Sequence, residues 1–286
     1  MRHGFLLIDK PIGPTSHDVV STVRRTLHEQ KIGHLGTLDP QASGLLVLAV
    51  GAKALKVIEF FQDAAKEYEA QVEFGAVSTT YDSEGNIDRL TPKPGWHPPD
   101  DIQLRRLLEE RFIGKIQQVP PAYSAVHTPQ GRAYTLARKG ESVSLAPRNV
   151  EISRCDILRY EYPHLVLHIA CSTGTYIRSL AHDLGQSLRC GGYLSALRRT
   201  RVGEWTMEHA ADPEKVIWSD VIPLKDVLTA FNSIELTSEE HDHIRHGRKI
   251  AREVKPDTLG WYEGLPVVVL TPAKDGSRMA QPRKVL

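Results

Sequence analysis

The sequence predicts a mixed fold of strands and helices that closes on a small β-rich module, and three observations carry this. Residues 68–74 alternate apolar with polar side chains and stop at Gly75, as a half-buried strand does. Val19, Val20, Val23 and Leu27 recur at helical spacing. The stretch from about residue 233 onward is punctuated by Gly247, Gly260, Gly264 and Gly276, with 266–270 as its clearest strand.

The elements follow in order. Residues 5–9 read as a strand and 10–14 as a turn. Thr15 and Asp18 have the spacing of a capping box, which places a helix start there. A loop dense in Gly and Pro holds Asp39, and residues 45–50 form a continuously apolar, buried strand. Ala54, Leu55, Ile58 and Phe61 predict a second helix. Residues 82–86 are a turn whose likeness to a calcium loop fails, because Gly85 follows Glu84 at once and no helices flank it. A Pro-rich loop at 91–99 leads to a helix near 102–112. Residues 119–147 read as irregular and polar, a length of connection that is usually functional. Residues 150–158 and 165–171 pair as strands. Ser172 to Thr175 are expected to cap a helix over 176–188. A strand ends at Gly203, a linker spans 212–220, a short helix 224–231, and a polar surface helix 239–252.

Length and composition bound the class. The 286 residues suffice for one large domain and a small one, and 41% apolar with 25% charged residues is ordinary for a globular chain. No apolar run reaches the roughly 18 residues of a membrane span, and the N-terminal segment is too short for a secretory signal, so a cytoplasmic location is expected. Three widely spaced cysteines, Cys155, Cys171 and Cys190, argue against a disulfide framework or a zinc site. Net charge is only +1, so binding to a polyanion must rest on local charge. Residues 189–201 carry Arg189, Arg198, Arg199 and Arg201 with no acid. The tail carries Lys274, Arg278, Arg283 and Lys284 against Asp275, while 81–110 leans acidic. That polarity suits a phosphate backbone. His241, Asp242, His243 and His246 could gather round a metal, but a polar surface helix explains them better, and no metal is expected.

The chemistry concentrates at Gly33-His34-Leu35-Gly36-Thr37-Leu38-Asp39-Pro40, running into Gln41-Ala42-Ser43-Gly44-Leu45-Leu46. Two glycines, a His and a Pro fix a backbone path around one carboxylate, and the apolar run behind it anchors that path. Taken alone, Asp39 would pass for a turn residue. The stretch resembles G-H-x-G-x-L-D-P-x-A-S/T-G-L-L, the signature of the TruB family of tRNA pseudouridine synthases. Gly174-Thr175-Tyr176-Ile177-Arg178-Ser179-Leu180 resembles the family's second motif, and Asp9-Lys10-Pro11, Lys66-Glu67-Tyr68-Glu69 and Leu197-Arg198-Arg199-Thr200 match shorter ones.

The resemblance implies an α+β fold: a pseudouridine synthase core with a mixed, mainly antiparallel sheet over 1–232, an RNA-binding insertion at about 118–148, and a PUA-like RNA-binding domain over 233–286. It implies Asp39 as the catalytic carboxylate and Arg178 as its ion-pair partner. Tyr68 would stack on an extruded uracil, worth roughly 1–3 kcal/mol. His34 would support base flipping, Leu197 would line the pocket, and Lys10 would support the structure around it. Arg132, Arg138, Lys139, Arg198 and Arg199 are candidate contacts to the RNA backbone. The implied substrate is uridine 55 in the T stem-loop of tRNA, with no cofactor and no obligate protein partner, and the chain is expected to be a monomer. Such a protein could also assist tRNA folding. His127 and His182 stand where the family usually has a more basic residue.

The isomerisation breaks the bond from ribose C1′ to uracil N1 and joins C1′ to C5, with no redox change. Asp39 could attack C1′, add to uracil C6, or remove a C2′ proton, and the sequence leaves the three open. Two rival classes are a non-catalytic tRNA-gripping protein and another Asp-dependent enzyme such as a glycoside hydrolase. The first does not need a carboxylate beside a phosphate-rich ligand. The second normally needs a partner carboxylate about 5–9.5 Å away, in a motif this sequence does not offer.

Overall fold

A computed structural model describes residues 3–286; Met1 and Arg2, the start of the expected catalytic domain, lie outside them. The main sheet contains β1 (Gly4–Lys10), β2 (Ile32–Leu35), β3 (Ala42–Val50), β4 (Lys66–Phe74), β5 (Gly114–Gln118), β6 (Arg148–Glu161), β7 (His164–Cys171), β8 (Gly192–Val202), β9 (Trp205–Thr206) and β10 (Ile222–Pro223). Its order is β10-β1-β3-β8-β4-β7-β6-β5, with β2 beside β3 and β9 beside β8. Every pairing is antiparallel except β3 with β8, so the sheet is mixed and mainly antiparallel as expected. At that parallel contact Gly44 lies opposite Arg199 with φ +98°. A Cβ there would stand 2.2 Å from the Arg199 carbonyl oxygen, so only glycine lets the strands meet.

Alternation along the central strands separates two cores. Leu6, Ile8, Leu46, Leu48 and Val50 face one, and Phe5, Leu7, Leu45, Val47 and Ala49 face the other. The first is covered by α1 (Ser16–Leu27), α3 (Asp101–Arg111) and α5 (Ile177–Ser187). The second is covered by α2 (Ala52–Val57), a following 3₁₀ turn at Ile58–Phe61, and α6 (Leu224–Val227), with Phe5, Phe61, Trp205 and Phe231 forming an aromatic cluster. Helix α1 begins as the sequence says: Thr15 caps it, the reciprocal bond from Asp18 is made, and Val19, Val20, Val23 and Leu27 are buried.

Several local expectations change, and two helices are shorter than read: that of 239–252 ends at Arg245 and that of 224–231 at Val227. Gly33, His34 and Leu35 are not loop but strand, paired with Ala49, Leu48 and Val47 of β3, because the buried partner strand recruits them. The 119–147 segment is not irregular throughout. It holds a small hairpin, His127–Thr128 with Gly131–Arg132, and helix α4 (Ala133–Arg138), whose Ala133 and Leu136 are buried. Ser172 to Thr175 do not cap α5; the N-cap is Tyr176, whose side chain makes no capping bond.

The last part of the chain forms β11 (Ser233–Glu235), α7 (Ser238–Arg245), β12 (Thr258–Tyr262), β13 (Leu265–Pro272) and β14 (Ala280–Val285). Its four strands make one sheet in chain order. The sheet has its own core of Leu236, Ile244, Ile250, Val268, Leu270 and Ala280. Its other face contributes Leu259 and Val269 to the second core of the main body. No described helix is long and apolar enough to cross a membrane.

Candidate active site

Asp39 sits in the short loop between β2 and β3, and four neighbours fix that loop's backbone. Ser16, at the first turn of α1, donates to the Leu38 carbonyl and accepts from the Leu38 N–H, both at 2.9 Å. The Gly13 N–H and the Lys10 ammonium both donate to the Pro40 carbonyl, at 2.9 and 3.3 Å. Arg199 donates to the carbonyls of Gly36, Thr37 and Leu45. Gly36 takes φ +79°, which lets the chain turn without strain.

The Asp39 side chain is 43% exposed, and its Oδ2 meets Arg178 Nη2 at 3.0 Å. Arg178 is almost wholly buried. Its Nη1 reaches Asp82 Oδ2 at 3.2 Å, and it donates to the carbonyls of Thr80 and Tyr123. Two carboxylates and two carbonyls thus aim one planar guanidinium, which leaves it little freedom to swing. Asp82 is buried and is itself held by the Thr80 hydroxyl and the Glu84 N–H. The cleft beside them is small, and Leu194, Ala196 and Leu197 line it together with Asp39, Asp82 and Arg178. A larger cavity of about 520 Å³, against His3, Lys53, Trp218 and Leu265, holds no carboxylate and lies at the other end of β1 from Lys10.

Of the other predicted residues, Lys10 and Arg199 bond the Asp39 loop and Leu197 lines the cleft. Tyr68, on β4 opposite Arg199 of β8, is buried, and burial raises the pKa of its phenol, keeping it neutral. Lys10 is fully buried; burial lowers its pKa, against the attraction of Asp39. His34 is half-buried on β2, and burial, then the charge of Arg199, lower its pKa, so it is neutral. Arg132, Arg138 and Lys139 are exposed on the 119–147 segment, with Arg138 over the ring of Tyr134. Arg198 is paired with Asp9 at 2.8 Å.

Arg199 needs correcting. It is 1% exposed and its donors go to main-chain carbonyls, so it cannot reach a phosphate in solvent; it clamps the Asp39 loop. Sequence reasoning missed Asp82 and Ser16. Asp82 reads as an ordinary acidic turn residue, and nothing local marks it as a partner of Arg178. Ser16 stands beside the capping residue Thr15, the only signal near it. Elsewhere, the three cysteines are buried and free, and burial pushes the thiols of Cys155 and Cys171 up to about 12 and about 11. His241 stacks on Tyr262 and His246 bonds the Asp242 carbonyl; among the described residues no three such side chains converge on a metal position.

The geometry is a half-exposed carboxylate, Asp39, and a buried one, Asp82, sharing one buried arginine at a part-apolar cleft, on a mixed sheet. Comparison with known proteins places it. The N-terminal domain of TruB family pseudouridylate synthases matches residues 24–177, and the C-terminal domain of tRNA pseudouridylate synthase B matches 178–233. The chain belongs to the TruB family of pseudouridine synthases. The tRNA pseudouridine synthase B of Syntrophomonas wolfei subsp. wolfei is 42% identical, over 88% of this chain and 86% of that protein. The protein of the same name from Mycobacterium sp. (strain KMS) is 38% identical, over 97% of this chain and 91% of its own. The fold resembles that in a crystal structure of a Cbf5–Nop10–Gar1 complex, with TM-score 0.70 and 22% identity over 99% of this chain and 84% of that one. A structure of an H/ACA ribonucleoprotein bound to substrate RNA gives TM-score 0.69 at 21% identity, over 99% and 84%.

Proposed function

We propose that this chain isomerises uridine 55 in the T stem-loop of tRNA to pseudouridine, with Asp39 as the reacting carboxylate. The observation that carries the reading is the pairing of Asp39, on a clamped loop, with the buried and doubly paired Arg178. One carboxylate oxygen is held at 3.0 Å and the side chain stays open to the cleft, which is what an attack on a sugar or base carbon needs. Leu194 and Leu197 offer an apolar wall to a flipped uracil, and the ring of Tyr68, neutral and buried in the free protein, is the proposed stacking surface. The turned-out nucleotide costs a few kcal/mol of lost stacking, which these contacts and His34 would offset. No step of the isomerisation calls for a cofactor.

The same reading gives residues 1–232 the catalytic role, with the segment at about 118–148 gripping RNA through Arg132, Arg138 and Lys139, and with Arg198 as a further backbone contact. It gives 233–286 the role of a PUA-like second RNA contact. It takes the chain as a monomer without an obligate protein partner, acting in the cytoplasm. Gripping the T-arm would also help tRNA fold.

The test is tritium release from 5-tritiated uridine in a T-stem-loop RNA, with wild type and Asp39→Asn side by side. Release by wild type alone, with both proteins binding RNA, is the expected outcome. No release by wild type would move a purely RNA-binding role to first place.

A further inference from the structure

Gln118 and Arg148 lie opposite each other across β5 and β6, at the points where the 119–147 segment leaves and rejoins the sheet. Both reach Tyr176, the residue before α5. The Gln118 side chain is a two-point clamp: its amide Nε2 donates to the Tyr176 carbonyl at 3.0 Å, and its Oε1 accepts from the Tyr176 N–H at 2.8 Å. Gln118 is 1% exposed, so neither bond competes with bulk water. The Arg148 guanidinium lies over the Tyr176 ring, 5.5 Å from its centre.

A helix start leaves unpaired N–H groups, and a Ser, Thr, Asp or Asn side chain usually fixes its first turn. Helix α5 has no such side-chain cap. A carboxamide from a distant strand holds its N-cap residue instead. Arg178 stands in that first turn, so the direction of its side chain depends on how the turn is held. Two more bonds tie the turn to the same segment: Ser179 Oγ donates to the Val119 carbonyl at 2.7 Å, and Arg178 Nη2 to the Tyr123 carbonyl at 3.0 Å.

We propose that Gln118 is a positioning residue for the reaction: by clamping Tyr176 it sets the first turn of α5 so that Arg178 meets Asp39. It touches no reacting group. The inference rests on the reading of Asp39 and Arg178 as the reacting site.

Three proteins test it: wild type, Gln118→Met and Gln118→Glu. Met keeps the length and volume of Gln118 and removes both bonds. Glu keeps the acceptor for the Tyr176 N–H and loses the donor. Single-turnover tritium release at saturating T-stem-loop RNA is measured with RNA affinity and thermal unfolding. Release should slow about 10- to 100-fold in the Met variant, as small misplacements of a reacting group do. It should slow less in the Glu variant, with RNA affinity within about twofold for both, since a positioning residue acts on the step and not on binding. If the Met variant is unfolded at the assay temperature, the Glu variant alone is read. Either variant, folded and releasing tritium at the wild-type rate, overturns the proposal. So does a loss of RNA affinity with the saturated rate unchanged, which would make Gln118 a binding residue. Failure of wild type to release tritium would instead remove the reading of the site itself.

Discussion

Arg199 directs its donors to the carbonyls of Gly36, Thr37 and Leu45, whereas Arg198, one residue away, reaches Asp9 at the surface. Their substitutions should therefore separate. Arg199→Met leaves buried carbonyls without a donor and should cost at least about 2 kcal/mol in urea unfolding, at about 1–3 kcal/mol per group. The salt dependence of its RNA binding should not change. Arg198→Ala should leave stability nearly intact and, if Arg198 meets a phosphate, lower the salt slope by about 0.9. Asp183 gives a pH test. Burial pushes its carboxyl up to about 6 from 3.8, so the folded state holds a proton that the unfolded state has lost. Stability from this group is present below pH 4 and falls as pH rises toward 6. Asp183→Asn should therefore raise the melting temperature at pH 8 and leave it nearly unchanged at pH 4, checked by calorimetry at both. Asp39 and Arg178 were legible because each sits in a long motif. Asp82 and Gln118 were not, because their roles exist only as contacts with Arg178 and Tyr176, residues far along the chain.

At the scale of elements, α1 was legible and the start of α5 was not, and the reason is what holds each first turn. Thr15 and Asp18 are three residues apart and satisfy each other, so local sequence contains the whole device. Thr15→Ala should cost about 1 kcal/mol in chemical denaturation, most of it the lost cap. The N-cap residue of α5 is held from β5 instead, and no local pattern announces it. The 119–147 segment read as irregular because its hairpin and helix are only a few residues long, below the length at which periodicity speaks. Its cations are exposed, so a triple change of Arg132, Arg138 and Lys139 to Ala should reduce the salt slope of RNA binding by up to about 3. A titration of affinity against salt from low to physiological strength checks this.

At the scale of the molecule, the C-terminal sheet is packed and latched onto the body. Leu259 and Val269 enter the second core, Arg283 and Lys284 pair with Glu59, and Lys284 also donates to the Lys56 carbonyl. Composition marked the module as separate but could not show this shared core, since which apolar face meets which is a tertiary fact. One cooperative unfolding transition is expected for the whole chain. A chain cut after Asn232 should unfold at lower temperature, because Phe5, Leu224 and Leu228 lose their cover. Calorimetry on both proteins decides it; two well-separated transitions in the full chain would show an independent module. The parallel contact of β3 with β8 has a consequence in time. During synthesis the Asp39 loop emerges early, yet Arg199 and Arg178 come from segments made much later. Contacts so distant along the chain close slowly and only after the intervening strands are in place. A growing chain on the ribosome thus carries its carboxylate loop on the bonds from Lys10, Gly13 and Ser16 alone through most of its making, and the two arginines complete the site late.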